Sequence, residues 1–353
     1  MTDFANQYAK TRPLYVAFTS KLHSLLHELI AVRAIDIVTM ESRAKDLESF
    51  KEKIDREDKN YTDPLNEITD LSGIRVITYY DEDVDRICEL ISSEFNVDQE
   101  NSVDKRKILE QDRFGYLSSH LVVSLDANRK KLIEWERYAN FKSEIQIRSV
   151  LQHAWAAIDH KLRYKSVDSI PKHIKRKLYR LSALLELADD EFGSIKDVTE
   201  KRNSEIKENL QANNFDIDID ADSIASYIES SKTASRFFSK MNNWGFQISS
   251  DRFSDGDLAI LVGLTRKRKL NSLADLENIL ESELENDSFY EAVIESLDGK
   301  NAKQKRMSKP ASLRLAILAA SPPKTAKKIV KSLQFKQYLQ KALLNYLEES
   351  GGE

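Results

Sequence analysis

Cysteine is almost missing from this 353-residue chain: Cys88 stands alone. A single thiol excludes an internal disulfide framework and any cysteine-based zinc site, and it fits a reducing, cytoplasmic setting. Glycine is scarce too. Only nine occur, and before residue 190 there are just two, Gly73 and Gly115. Neither G-x-G-x-x-G nor G-x-x-x-x-G-K-[ST] is present, so a Rossmann dinucleotide site and a P-loop are both unsupported. Any phosphate must then be held by side chains and metal. No apolar run approaches the roughly 18 residues of a membrane span, and MTDFANQYAK lacks the charged-then-apolar pattern of a signal peptide. Neither secretion nor membrane insertion is expected.

What is present is an ordinary soluble composition, 41% hydrophobic and 32% charged, with a formal net charge of -4 that hides local basic clusters. The length gives room for about two domains. Leu22, Leu25, Leu26, Leu29 and Ile30 recur at helical spacing within 14–34. Strands are expected at 35–40, 74–80, 116–125 and 142–147. Helices are expected at about 46–56, at 83–94 with Val84, Ile87, Leu90 and Ile91 inward, and from 150 to 165. Residues 96–113 read as a mobile polar loop. This alternation predicts an α+β fold, a mixed sheet of four or five strands covered by helices. Beyond it, 171–206 is helical with Leu178, Leu181, Leu184, Leu185 and Leu187 on one face. The chain from 223 onward is almost wholly helical, broken at Ser254-Asp255-Gly256, Asp298-Gly299 and Ser321-Pro322-Pro323. It shows no fixed-period repeat, although its helical pairs would suit a solenoid-like array.

Four clusters carry chemistry. Asp70-Leu71-Ser72-Gly73-Ile74-Arg75 places a carboxylate at the mouth of a strand, a common Mg²⁺ ligand, followed by a glycine that lets backbone pass close to a nucleotide; a capping Asp and a bulge glycine are the plainer reading. Tyr116, Ser118 and His120 share one strand face and suit stacking on a base and gripping sugar or phosphate, though tyrosine on a sheet more often packs. Lys45, Ser49 and Lys53, beside Arg43, fall on one helical face and could hold a triphosphate; a solvated charged face is the usual alternative. The densest cluster is Glu144-Ile145-Gln146-Ile147-Arg148 running into a helix with His153, Trp155 and His160. Glu144 is a candidate metal ligand or proton acceptor. His153 and His160 are seven apart, too far for the paired ligands of a zinc hydrolase.

The order of these motifs, a basic segment, D-x-x-G-x-R, G-Y-x-S-x-H, E-I-Q-I-R, then H-A-W-A-x-I-x-H-K-L-x-Y-K, resembles the synthetase domain of the RelA/SpoT family of alarmone synthetases over roughly residues 15–165. The resemblance implies a nucleotidyltransferase-like mixed sheet in residues 1–170 and transfer of the β,γ-pyrophosphate of ATP to the 3′-hydroxyl of GDP or GTP. It implies Mg²⁺ held by Asp70 and Glu144, with Glu144 also the base. It assigns Arg43, Lys45, Ser49 and Lys53 to ATP, with Arg75, Arg148 and Lys165 as further phosphate contacts. Tyr116 would stack on the acceptor guanine, with Ser118, His120, Gln146 and His160 lining the acceptor site.

Three departures bear on the acceptor. Leu117 stands where the family often has Arg or Gln, Ser149 replaces the usual Thr after Arg148, and residues 105–113 lack the acceptor-loop pattern of long members. None of the six histidines is followed by Asp, so the family's hydrolase domain is not expected, and the cysteine count excludes its zinc-bearing ribosome-binding modules. Residues 171–353 read instead as an α-helical regulatory or interaction domain. Its basic clusters at 172–180, 266–269, 300–309 and 324–331 could touch tRNA, although interleaved acids keep the region near neutral. Small family members are often homo-oligomers. The alternative function is a toxic member that pyrophosphorylates another acceptor, the 3′ end of tRNA or adenosine nucleotides, with the helical domain as inhibitor or sensor in phage defence. A catalytically dead nucleotide-binding regulator is a further alternative, disfavoured by the retained Asp70, Tyr116 and Glu144.

Overall fold

The protein is described as a computed structural model covering residues 2–56, 60–104, 118–163, 172–251, 253–297, 305–332 and 337–349. The chain divides into two compact units, Met1–Lys196 and Asp197–Glu353. The division falls inside one continuous helix; the domain boundary expected at residue 170 lies among residues outside those described.

The first unit runs α1 (Thr2–Val32), β1 (Ile37–Ala44), α2 (Leu47–Ile54), α3 (Pro64–Glu67), β2 (Ser72–Thr78), α4 (Asp81–Glu94), β3 (Phe95–Val97), β4 (Val103–Asp104), β5 (Ser119–Leu125), β6 (Lys142–Ser149) and α5 (Val150–Arg163). Then α6 (Lys172–Gln211) begins, and it continues into the second unit. The strands form a mixed sheet in the order β1-β2-β6-β5-β3, with β4 also on β5. Among the described strands of this sheet only β2 and β6 are parallel, with Gly73 opposite Glu144 and Arg75 opposite Gln146. This is the expected α+β architecture. The polar segment after 95 is less of a loop than expected, because its first residues add β3 and β4 to the edge of β5.

Alternation explains how the sheet presents a site. Ile74, Val76, Ile145 and Ile147 point to one face and are at most 2% exposed. They meet Phe18, Leu22, Leu26 and Ile30 of α1 and Val84, Ile87 and Ile91 of α4. Each such side chain contributes about 1.5–3 kcal/mol by leaving water. Gly73, Arg75, Glu144 and Gln146 therefore face the other way. The α1 helix starts earlier than its leucine periodicity suggests. Pro13 sits inside it, and Tyr8 anchors the early turns by stacking on Phe50 at 4.3 Å.

The second unit is helical, as expected, with its own core. Its helices are α7 (Ala221–Ser230), α8 (Lys232–Asn243), α9 (Asp255–Lys267), α10 (Leu273–Glu283), α11 (Asp287–Glu295), α12 (Lys309–Ala319), α13 (Pro323–Ser332) and α14 (Gln337–Glu349). Asp220, Ser231 and Ser254 cap α7, α8 and α9 by accepting from backbone N–H groups. A short parallel pair, β7 (Gln247–Ile248) with β8 (Arg306–Met307), was not legible in the sequence. That pair, and the packing of α9 on α12, join elements distant in sequence. A solenoid contacts only its neighbours, so this unit is not one.

Candidate active site

The open face of the sheet carries a cavity of about 400 Å³ lined by Glu41, Ser42, Arg43, Asp70, Gly73, Ile74, Arg75, Glu144 and Gln146. Five of the residues predicted from sequence thus meet in one place: Arg43, Asp70, Arg75, Glu144 and Gln146. The strand register explains it. Arg43 pairs with Gly73 across β1 and β2, and Gly73 with Glu144 across β2 and β6. Gly73 is no bulge, since the one irregularity of that ladder lies near Ile37. A Cβ at Gly73 would meet only the Arg43 carbonyl oxygen, at an ordinary 3.6 Å. The fold does not demand glycine there; its absent side chain leaves room above the sheet.

Asp70 is gripped by two lysines. Lys45 Nζ lies 2.9 Å from Oδ2 and Lys53 Nζ 2.9 Å from Oδ1. Burial works against ionisation of Asp70, but the two ammonium groups outweigh it and hold the carboxyl below its usual range. Lys45 does not belong to the helix as its spacing suggested. It precedes α2, and its carbonyl accepts from Tyr8 Oη at 2.6 Å and Arg12 Nε at 3.1 Å. Lys53 arrives from α2, which starts where Asp46 accepts from the Ser49 backbone at 2.8 Å. The Ser49 hydroxyl donates to the same Asp46 at 2.9 Å, so it is engaged in the helix cap.

Glu144 is flanked by a chain of polar groups. Its Oε1 lies 2.6 Å from His120 Nδ1, and His120 Nε2 lies 2.7 Å from the Ser118 hydroxyl. Burial raises the Glu144 pKa, and the charge of Asp70 does the same, but the His120 contact prevails and the net shift is downward. Arg148 is only 7% exposed and donates to Gln146 Oε1 at 2.9 Å. Its Nε, like Arg75 Nε and His153 Nδ1, is buried with no hydrogen-bond partner among the described residues. Burial and the neighbouring Arg75 lower the Arg148 pKa; burial, Arg148 and Arg75 lower that of His153. Arg75 also pairs with Glu41 at 3.2 Å, a cavity residue that sequence reasoning missed.

His160 sits exposed on α5 and is not among the residues lining the cavity. Tyr116 and Lys165 lie outside the described residues, as do Gly115, Leu117 and 105–113. Among the described residues no group of three His, Cys, Asp or Glu could hold a metal ion by itself. Asp70 and Glu144 still fit Mg²⁺. They are hard oxygen donors on one cavity, close enough for one charge to affect the other, and Mg²⁺ commonly takes one or two carboxylates plus substrate phosphates.

Residues 42–169 match the family model of the region found in RelA / SpoT proteins. The GTP pyrophosphokinase YjbM of Bacillus subtilis is 32% identical over 168 residues, 46% of this chain and 72% of the relative. The GTP pyrophosphokinase YwaC of the same organism is 28% identical over 165 residues, 44% of this chain and 71% of the relative. A crystal structure of the B. subtilis small alarmone synthetase 1 bound to its product pppGpp is similar over 54% of this chain and 97% of its own, with 25% identity and a TM-score of 0.45. The motifs that meet on the open face lie within the matched region, and the chain belongs to the RelA/SpoT family, as a member carrying the synthetase region.

Proposed function

We propose that the protein is an ATP-dependent pyrophosphokinase that transfers the β,γ-pyrophosphate of ATP to the 3′-hydroxyl of GDP or GTP. The observation that carries this reading is the open sheet face, where Asp70 and Glu144 share one cavity with Arg43, Arg75 and Gln146 while Lys45 and Lys53 converge on Asp70. Phosphoryl transfer asks mainly for positioning and charge stabilisation, and this set supplies both.

In this reading Lys45, Lys53 and Arg43 bind the donor phosphates, with Ser49 holding the start of α2, and Arg75 and Arg148 offer further cationic contacts together with Lys165. The acceptor lies against Tyr116, Ser118, His120, Gln146 and His160. Its 3′-oxygen bonds to the β-phosphorus of ATP, the bond from that phosphorus to the α-phosphate oxygen breaks, and AMP leaves. Glu144 takes the hydroxyl proton, steadied by His120 on the same carboxylate. Mg²⁺ on Asp70 and Glu144 would neutralise charge on the transferring phosphates. Replacing Glu144 by Gln should abolish transfer while leaving the far-UV circular dichroism unchanged; retained activity would remove Glu144 from its assigned role.

A cytoplasmic setting belongs to the same reading; among the described residues no helix is long and apolar enough to cross a membrane. Self-association is supported by α6, where Leu181, Leu184, Leu187 and Ile195 are 51–61% exposed. The second unit would serve as the regulatory or interaction module. Its basic clusters favour tRNA less than their composition suggested. Arg266 and Lys267 sit in the last turn of α9, where cations suit the helix dipole, Arg306 pairs with Asp251 at 2.6 Å, and Lys309 lies over Phe238.

A further inference from the structure

The long helix α6 turns inward a stripe on which polar side chains are the most deeply buried. Of the five leucines expected on one face, Leu181, Leu184 and Leu187 are exposed and Leu178 and Leu185 are half-buried, whereas Ser182 and Asp189 are 1% and 3% exposed. Ser182, Asp189 and Lys196 are seven residues apart, so they form one stripe. Lys196 reaches Glu82 and lies 3.7 Å from Asp83, both in the first turn of α4. Asp189 reaches the junction between β6 and α5, where its Oδ2 accepts from the Ser149 hydroxyl at 2.5 Å. A helix that hides a carboxylate and exposes three of those five leucines is docked here in part by specific polar contacts, since burying a charge is costly unless it is satisfied.

The junction that Asp189 holds is a capping box. No loop separates β6 from α5. Ser149 Oγ accepts from the Gln152 backbone N–H at 3.1 Å, and Gln152 Oε1 accepts from the Ser149 N–H at 2.9 Å. Each side chain then has a second bond outward. Ser149 donates to Asp189, and Gln152 Nε2 donates to Asp81 Oδ1 at 2.5 Å. Ser149 and Gln152 are 0% and 4% exposed. On either side of the box stand Arg148 and His153, whose Nε and Nδ1 are buried without a partner among the described residues.

We propose that Asp189, which lies beyond the family-matched region, is a positioning residue for the active site: through Ser149 it fixes the capping box that sets Arg148 and His153 against the open face. The catalytic role of Arg148 rests on the pyrophosphokinase reading; the anchoring of the junction does not. Ser149 serves this arrangement because its hydroxyl accepts from Gln152 and donates to Asp189 at once. Displacing a contact by about 1 Å costs up to about a hundredfold in rate, even when the change is remote.

The test uses the full chain with Asp189→Ala, Asp189→Asn, Ser149→Ala and the Asp189→Ala/Ser149→Ala pair. Hydrogen exchange of the 146–154 amides reads the junction directly, and steady-state kinetics with ATP and GDP or GTP reads its consequence. Asp189→Ala should speed exchange in that segment and lower kcat/KM about tenfold or more. Asp189→Asn keeps a carbonyl oxygen for the Ser149 hydroxyl, so it should restore both readouts to within about threefold of wild type. The pair should be no worse than Ser149→Ala alone, because both changes cut one link. Unchanged exchange in Asp189→Ala, or equal damage from Asn and Ala, would overturn the proposal. A wild-type chain without pyrophosphoryl transfer, in which Asp189→Ala still loosens the junction, would overturn the functional reading and leave the anchor standing.

Discussion

Replacing Asp70 by Asn should destabilise the first unit as well as silence the site. Asp70 faces two ammonium groups at 2.9 Å, and the side chains of Lys45, Asp70 and Lys53 are 8%, 24% and 26% exposed. Losing the carboxylate leaves Lys45 buried beside a second cation. Breaking a fully buried pair costs roughly 3–5 kcal/mol and a surface pair about 0–1. The partial exposure here puts the loss at about 2–3 kcal/mol. For a unit of the size of Met1–Lys196, each kcal/mol moves the melting temperature by roughly 2–4 °C. Asp70→Asn should therefore melt several degrees below wild type, whereas Lys53→Met, which leaves Lys45 on Asp70, should lose no more than about 1 kcal/mol. The pH dependence has a defined sign. Because the folded-state pKa of Asp70 is depressed, its contribution is complete above the unfolded value, about 4, and fades as pH falls through the folded one. The gap between wild type and Asp70→Asn in urea unfolding should be constant from about pH 5 to 8 and close in stronger acid. An Asp70→Asn protein within about 0.5 kcal/mol of wild type at pH 7 would refute the two-lysine grip.

Gly73→Ala should fold at least as well as wild type, since the new Cβ meets only ordinary contact and alanine reduces unfolded-state freedom. It should nevertheless raise KM for ATP, because Gly73 lines the cavity; an unchanged KM would place the nucleotide elsewhere. Leu184→Lys with Leu187→Lys on exposed α6 should leave melting within about 2 °C of wild type and shift sedimentation to a smaller species if that face joins copies of the chain. A sedimentation coefficient identical to wild type would exclude self-association through α6.

Local patterns carried most of the site. Period-two alternation over 142–147 already put Glu144, Gln146 and Arg148 on one strand face, and pairing with β2 then brought them beside Gly73 and Arg75. Helical spacing misled at Lys45, because the backbone there is tied to Leu71, Tyr8 and Arg12 before α2 begins. It was only half informative on α6, where Leu181, Leu184 and Leu187 are exposed while Leu178 and Leu185 are half-buried on the stripe of Ser182 and Asp189. The S-x-x-Q box at Ser149 was readable in principle as a helix start. Its partner Asp189 was not. Forty residues separate them, and only the fold brings the two together.

The most direct measurement is the fate of ATP when the protein is incubated with Mg²⁺ and, separately, with GDP, GTP, an adenosine nucleotide and bulk tRNA. With GDP or GTP the expected products are AMP and a 3′-pyrophosphorylated guanosine nucleotide in equal amounts, with label from the γ-phosphate of ATP recovered in the acceptor. Formation of ADP and phosphate in place of AMP, or no turnover with any acceptor, would contradict pyrophosphoryl transfer; label recovered only in tRNA or the adenosine nucleotide would keep the chemistry and replace the acceptor.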